Sequence, residues 1–263
     1  MRPRGARLTE THQTVGRKDH HSGERPVSGA LAGQVALVTG GSRGIGLAIA
    51  RRLGHMGARL AICARSPERL EFARLQMASD DVIALAIAAD VTRAFEVTAA
   101  IDRVQTEIGP IDILVNCAGL GIFGAFHERS ELEWNTVLDT NLKSVFLMSR
   151  AVAPEMIRRS YGHIVNISSL AGKNAFANGA LYCASKWGLM GLTNCIAEEL
   201  RVHGIRVSAV CPGSVATEFS PHAGRDLDKL LQPDDVAHAV AMILTERPQG
   251  FISEILLRPT QKS

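Results

Sequence analysis

Tyr182 and Lys186 stand four positions apart in an Ala-rich stretch, GALYCASK, that follows a strand-like run over 162–168. Four residues are about one helical turn, so on a helix both side chains leave the same face within roughly 6 Å of each other. A phenol beside an ammonium group forms an acid–base device. The cation favours the phenolate and is expected to draw the tyrosine pKa down from about 10 toward working pH. Ser168 and Ser169 end the preceding strand, and a hydroxyl delivered from there can hold a carbonyl oxygen against the phenol. Taken singly, Tyr182 also reads as a half-buried helix residue and Lys186 as a snorkelling one.

Ser169, Tyr182 thirteen positions later and then Lys186 resemble the Ser…Tyr-x-x-x-Lys site of short-chain dehydrogenases/reductases. The spacing selects Ser169 over Ser168. The resemblance implies that Tyr182 exchanges a proton with the substrate oxygen, Ser169 hydrogen-bonds that oxygen, and Lys186 tunes the phenol and touches the nicotinamide ribose. It further implies that Asn141, a poor helix former inside a helical pattern, holds a water in a proton path to Lys186.

The elements that must position these groups alternate along the chain. Strands are expected at 34–39, 58–63, 82–88, 111–116, 162–168, 205–210 and 253–258. Helices are expected at 44–56, 67–78, 93–108, 131–159, 179–203 and 233–246. Pro233 followed by Asp234 and Asp235 suits a helix start. Such alternation predicts an α/β fold: a Rossmann-type, doubly wound, seven-stranded parallel sheet with helices on both faces, in one domain over 32–263. The ligand crevice then lies at the carboxyl ends of the strands. Residues 1–31 are polar, aperiodic and basic, and read as a disordered extension.

Thr39-Gly40-Gly41-Ser42-Arg43-Gly44-Ile45-Gly46 joins the first strand to the first helix. Gly40 permits a tight turn, Gly44 lets a pyrophosphate approach the helix N-terminus, and Gly46 allows close packing of helix on strand. Ser42 and Ile45 fall in the same cradle. At the end of the second strand, where a carboxylate would accept bonds from a free ribose, the chain has Cys63-Ala64-Arg65-Ser66. Arg65, with Arg43 at the same corner, suits a phosphate dianion and therefore NADP(H) rather than NAD(H). A nearby acid, Glu68, is the feature that weighs against this.

The resemblance places further cofactor contacts in order along the chain. Asp90 and Val91 would meet the adenine, although Asp90 beside Thr92 also reads as a helix cap. Asn116-Cys117-Ala118-Gly119 resembles the family's N-N-A-G, with Cys117 departing at the second Asn; Asn116, Ala118 and Gly119 are assigned to the cofactor. Pro212, Gly213, Val215 and Thr217 follow the sixth strand, the Thr217 hydroxyl meeting the carboxamide.

Expected substrate walls are 120–123, 175–178 and 215–222, where Phe123, Phe176 and Phe219 favour an apolar ketone or aldehyde. His222 reads as an exposed loop residue. A 3-oxoacyl-(acyl-carrier-protein) reductase would share these motifs but needs a basic rim, for which Arg129, Lys173 and Arg225 are loose candidates. A silent NADP(H)-binding sensor is the reading from another class.

Charge and composition exclude several classes. The net charge of +3 resides in the N-terminal extension, leaving the acids and bases of the domain in balance, which argues against nucleic-acid binding. No apolar run is long enough to span a membrane. The five cysteines lack paired ligand spacing, so no metal site and a reduced, cytoplasmic setting are expected. The family's habit of pairing its long helices, together with Leu189, Met190, Leu192 and Ile196, implies a homodimer or homotetramer.

Overall fold

The computed structural model describes residues 29–219 and 226–261. The expected disorder of the extension and the positions of His222 and Arg225 lie outside the described residues. Seven strands form one sheet in the order β3-β2-β1-β4-β5-β6-β7, every pair parallel. They are β1 (Val35–Thr39), β2 (Arg59–Ala64), β3 (Ala84–Ala88), β4 (Ile113–Asn116), β5 (Gly162–Ile167), β6 (Ile205–Pro212) and β7 (Glu254–Leu257). The helices are α1 (Gly44–His55), α2 (Pro67–Ala78), α3 (Ala94–Glu107), α4 (Glu131–Leu138), α5 (Ser144–Arg159), α6 (Ala180–Arg201) and α7 (Pro233–Leu244).

Strand β1 shows why a parallel sheet is buried on both faces. Ala36 and Val38 pack into a core with Ile49 and Leu53 of α1 and Val236 and Val240 of α7. Val35 and Leu37 point the other way, into a core with Val97 and Ile101 of α3 and Met148 and Val152 of α5. Leu31 is buried in the first of these cores and its N–H donates to the Met56 carbonyl, so the packed unit reaches slightly upstream of residue 32.

Local chemistry fixes the helix starts. The Ser66 hydroxyl accepts from the Arg69 N–H and Pro67 occupies the first turn of α2. Ser130 and Glu133 make a reciprocal capping box at α4. At α7 the Asp235 carboxylate accepts from the Gln232 N–H, with Pro233 between them in the first turn.

The single helix expected over 131–159 is divided. Asp139–Lys143 forms a π-turn between α4 and α5, and Asn141 sits within it, fully buried. A π-turn re-aims the side chain it carries, which a regular helix at this point would not. The order of strands reverses between β1 and β4, and the main crevice opens there, at the strands' carboxyl ends.

Candidate active site

The crevice has a volume of about 1570 Å³ and runs from the β2–α2 corner to the start of α6. At one end Gly40, Ser42, Arg43, Gly44, Ile45 and Gly46 line it. Gly40 has φ +68, and a Cβ on Gly46 would lie 2.2 Å from the Gly40 carbonyl oxygen. Helix α1 therefore rests directly on the turn, leaving its N-terminal N–H groups open toward the crevice, with no acid in the first turn.

Arg65 lines the same end, and α2 adds Arg69, which sequence reasoning missed. Its signal was available: Arg69 is one helical turn after Arg65, in a helix whose start Ser66 and Pro67 announce. No carboxylate follows β2 directly; Glu68 instead accepts from the Ser66 hydroxyl. Asp90 both lines the crevice and builds a turn, accepting from the Thr92 N–H and hydroxyl. Burial pushes its carboxyl up, but the bonds from Thr92 and the charges of Arg65 and Arg93 prevail and hold it below the usual range. Val91, Ala118, Gly119, Pro212, Gly213, Val215 and Thr217 line the crevice. Three arginines, a glycine turn and an open helix N-terminus make a site that fits a phosphorylated dinucleotide.

Asn116 does not face that site. Its amide donates to Asn166 Oδ1 at 2.9 Å and to the Ser149 hydroxyl at 3.3 Å, and the Asn166 amide donates to Thr193. The reason is the register: Asn116 pairs with Asn166 across β4 and β5, and its side chain is used to satisfy that buried partner. The wall of the crevice begins instead at Cys117, whose N–H, with that of Ala118, donates to the Thr39 hydroxyl.

At the other end stand the three expected reactive groups. Ser169 follows β5; its hydroxyl accepts from the Ala171 N–H at 3.1 Å and donates to the Pro212 carbonyl at 3.5 Å. Ser168 is buried, and its hydroxyl finds no hydrogen-bond partner among the described residues. Tyr182 and Lys186 share one face of α6, with Lys186 Nζ 5.8 Å from the centre of the phenol ring. The ammonium donates to the Ile167 carbonyl at 2.9 Å. Asn141 donates to the Leu120 carbonyl and the Ser185 hydroxyl and accepts from the Leu120 N–H. A Cβ on Gly119 would fall 3.2 Å from Asn141 Oδ1 and 3.9 Å from Lys186 Nζ, so the bare glycine lets both groups pack close to this turn.

The expected lowering of the Tyr182 pKa is not found. Burial pushes the phenol up to about 12, against the opposing pull of the Ser169 hydrogen bond. The same burial brings Lys186 down to about 8. Desolvation penalises both charged forms, and in this closed corner it outweighs the mutual effect the pair would have in solvent. The protein alone therefore keeps the proton on Tyr182, as suits a general acid.

A family model described as short chain dehydrogenase matches residues 34–228. The chain is a member of the short-chain dehydrogenase/reductase family.

This short-chain dehydrogenase is 36% identical over 231 residues to an uncharacterized oxidoreductase of Staphylococcus saprophyticus, covering 87% of this chain and 98% of that one. It is similar to a metagenomic short-chain oxidoreductase solved in complex with NADP, at 46% identity and TM-score 0.79, covering 89% of this chain and 100% of the other. It is also similar to a variant of actinorhodin polyketide ketoreductase solved with NADPH, at 34% identity and TM-score 0.80, covering 88% and 97%.

Of the expected substrate walls, Phe123, the stretch 175–178 and residues 215–219 line the crevice of this dehydrogenase. Residues 220–222 lie outside the described residues. The C-terminal segment past β7 adds Arg258 to Gln261, a wall with no motif to announce it.

Proposed function

We propose that this oxidoreductase transfers a hydride between NADP(H) and an apolar ketone or aldehyde. The observation that carries the reading is the meeting of Tyr182, Ser169 and Lys186 at one end of a crevice whose other end holds Arg43, Arg65 and Arg69. The NADP and NADPH bound in the two related structures support the arginine corner as the seat of the 2′-phosphate.

A bound nicotinamide supplies the hydride. Everything else falls to this chain. Ser169 donates a hydrogen bond to the carbonyl oxygen. Tyr182 holds its proton until that oxygen becomes an alkoxide, a base strong enough to take it from a phenol raised to about 12. The Lys186 ammonium stabilises the phenolate left behind, and a water beside Lys186 and Asn141 returns the proton. In the oxidation direction the same groups run in reverse.

The acyl-carrier reading is the weaker one. Lys173 is tied to Glu254 and Arg129 to Glu133, so neither offers a free charge to an acidic carrier. The likeness to a polyketide ketoreductase is its support. The sensor reading leaves the meeting of the three reactive groups unused.

The test is consumption of NADPH and NADH over a panel of ketones and aldehydes, by the native chain and by Tyr182→Phe. Loss of nearly all turnover in Tyr182→Phe with NADPH binding retained is the expected result; near-native turnover would end the assignment.

We also propose a homo-oligomer. Leu189 and Met190 belong to the chain's own core, and Leu192 and Ile196 are half-buried, so they are not the spare face. Leu132, Trp134, Phe146 and Trp187, on α4, α5 and α6, are exposed instead. Sedimentation as a monomer at micromolar concentration would contradict this.

A further inference from the structure

We infer that the carbonyl substrate carries a flat aromatic ring beside its carbonyl group, received by Phe123 and Phe219, the two rings packed against Tyr182; this rests on the carbonyl-reductase reading above. The Phe123 ring meets the Tyr182 ring edge-on, with centroids 5.6 Å apart and planes at 65°. Phe219 meets the same ring from the β6 side at 5.6 Å and 55°. Phe176 extends the wall, 6.2 Å from Phe123. Two rings from segments far apart in sequence thus meet at Tyr182, and a third, Phe176, backs one of them.

The convergence is seated on backbone that has no side chain. A Cβ on Gly121 would lie 2.6 Å from the tip of Phe123 and 3.2 Å from Phe219, and one on Gly179 would lie 2.4 Å from the Phe176 ring. Glycine at both places lets the rings settle where any other residue would displace them.

Rings that only filled the core would be covered, yet Phe176 is 49% and Phe219 39% exposed while lining the crevice. The adjoining wall, Asn174-Ala175-Phe176-Ala177-Asn178, is uncharged. Amides at its ends can orient an uncharged substrate but offer no countercharge to an acid or a phosphate. An edge-to-face or offset ring pair gains from the ring quadrupole beyond the area it buries, roughly three- to ten-fold in affinity. A saturated ring of the same size buries similar area without that gain.

The experiment compares phenyl methyl ketone with cyclohexyl methyl ketone, NADPH-dependent, in the native chain and in Phe123→Leu and Phe219→Leu. The expected native kcat/KM is higher for the phenyl ketone by about three-fold or more, and the ratio falls toward one in each leucine variant, with NADPH affinity by fluorescence titration retained as the sign of an intact fold. Equal use of both ketones, turnover of other carbonyls but not the phenyl ketone, or an undiminished ratio in both variants overturns the aromatic preference alone. Absence of NADPH-dependent turnover with every carbonyl in the panel overturns the carbonyl-reductase reading and this inference with it.

Discussion

Arg43, at the start of α1, and Glu218, after β6, are joined by an ion pair although 175 residues separate them. Both line the crevice, and Arg43 is one of the three arginines at the end proposed to seat the 2′-phosphate. A 2′-phosphate approaching Arg43 must therefore compete with Glu218. The pair is exposed on both sides, so its effect is modest. Glu218→Gln is expected to tighten NADPH by about three-fold and NADH by less, and to give no such gain when Arg43→Gln is already present. Fluorescence titration of the two cofactors across this double-mutant cycle is the measurement. An equal gain in the Arg43→Gln background would show that Glu218 acts on the cofactor without Arg43.

Lys186 is expected to set the upper pH limit of the proposed reaction. Burial lowers it to about 8, so its ammonium form is lost as pH rises through that value. Tyr182, up at about 12, remains protonated over the same range. For carbonyl reduction kcat/KM should be flat below about 8 and fall above it, because kcat/KM reports groups of the free enzyme. Lys186→Arg keeps its charge and should remove that limb while lowering turnover. A profile level through this range would contradict the role given to the ammonium.

Much of this architecture is legible in the sequence because β1, β4 and β6 are short apolar runs between amphipathic helices, each bounded by a cap or a glycine turn. Residues 40–46 and the pair Tyr182 and Lys186 are legible for the same reason: their placement depends on spacing within one turn or one helix. What the sequence does not carry is set by neighbours from elsewhere in the chain. Asn116 looks like a cofactor ligand until strand register puts Asn166 beside it. Asn141 reads as an awkward helix residue until the π-turn aims it at Leu120 and Ser185. The Tyr182–Lys186 spacing gives their proximity, but the desolvation that governs both groups comes from the whole wall around them.

His163 should make folding stability depend on pH. It is buried on β5 with Nε2 2.9 Å from the Ser208 hydroxyl. Burial first, and the charge of Arg206 second, lower it from 6.5 to about 3. Below about 6.5 the unfolded chain takes up a proton that the folded chain refuses, so this group's contribution falls as pH drops from about 6.5 toward about 3 and is constant above that window. The slope from one such group is about 1.4 kcal/mol per pH unit. Urea unfolding of the native chain and of His163→Gln at several pH values measures the difference. A native slope no steeper than the variant's would mean that His163 is not held neutral.

Two glycines offer opposite outcomes from the same substitution. At Gly46 an added Cβ meets the Gly40 carbonyl oxygen at 2.2 Å, and its nearest neighbours are all backbone atoms of Gly40 and Gly41, with no flexible atom to yield. Gly46→Ala must push α1 off the turn, costing roughly 2 kcal/mol or more of stability and weakening NADPH binding at least ten-fold, since the helix N-terminus moves with it. At Gly191, inside α6, an added Cβ meets nothing within 4 Å. Gly191→Ala should therefore stabilise by about 0.5–1 kcal/mol, because alanine loses less backbone entropy on entering a helix. Thermal unfolding with and without NADPH checks both. Gly46→Ala with a native cofactor-induced shift in Tm would break the link between the close helix–turn packing and the phosphate site.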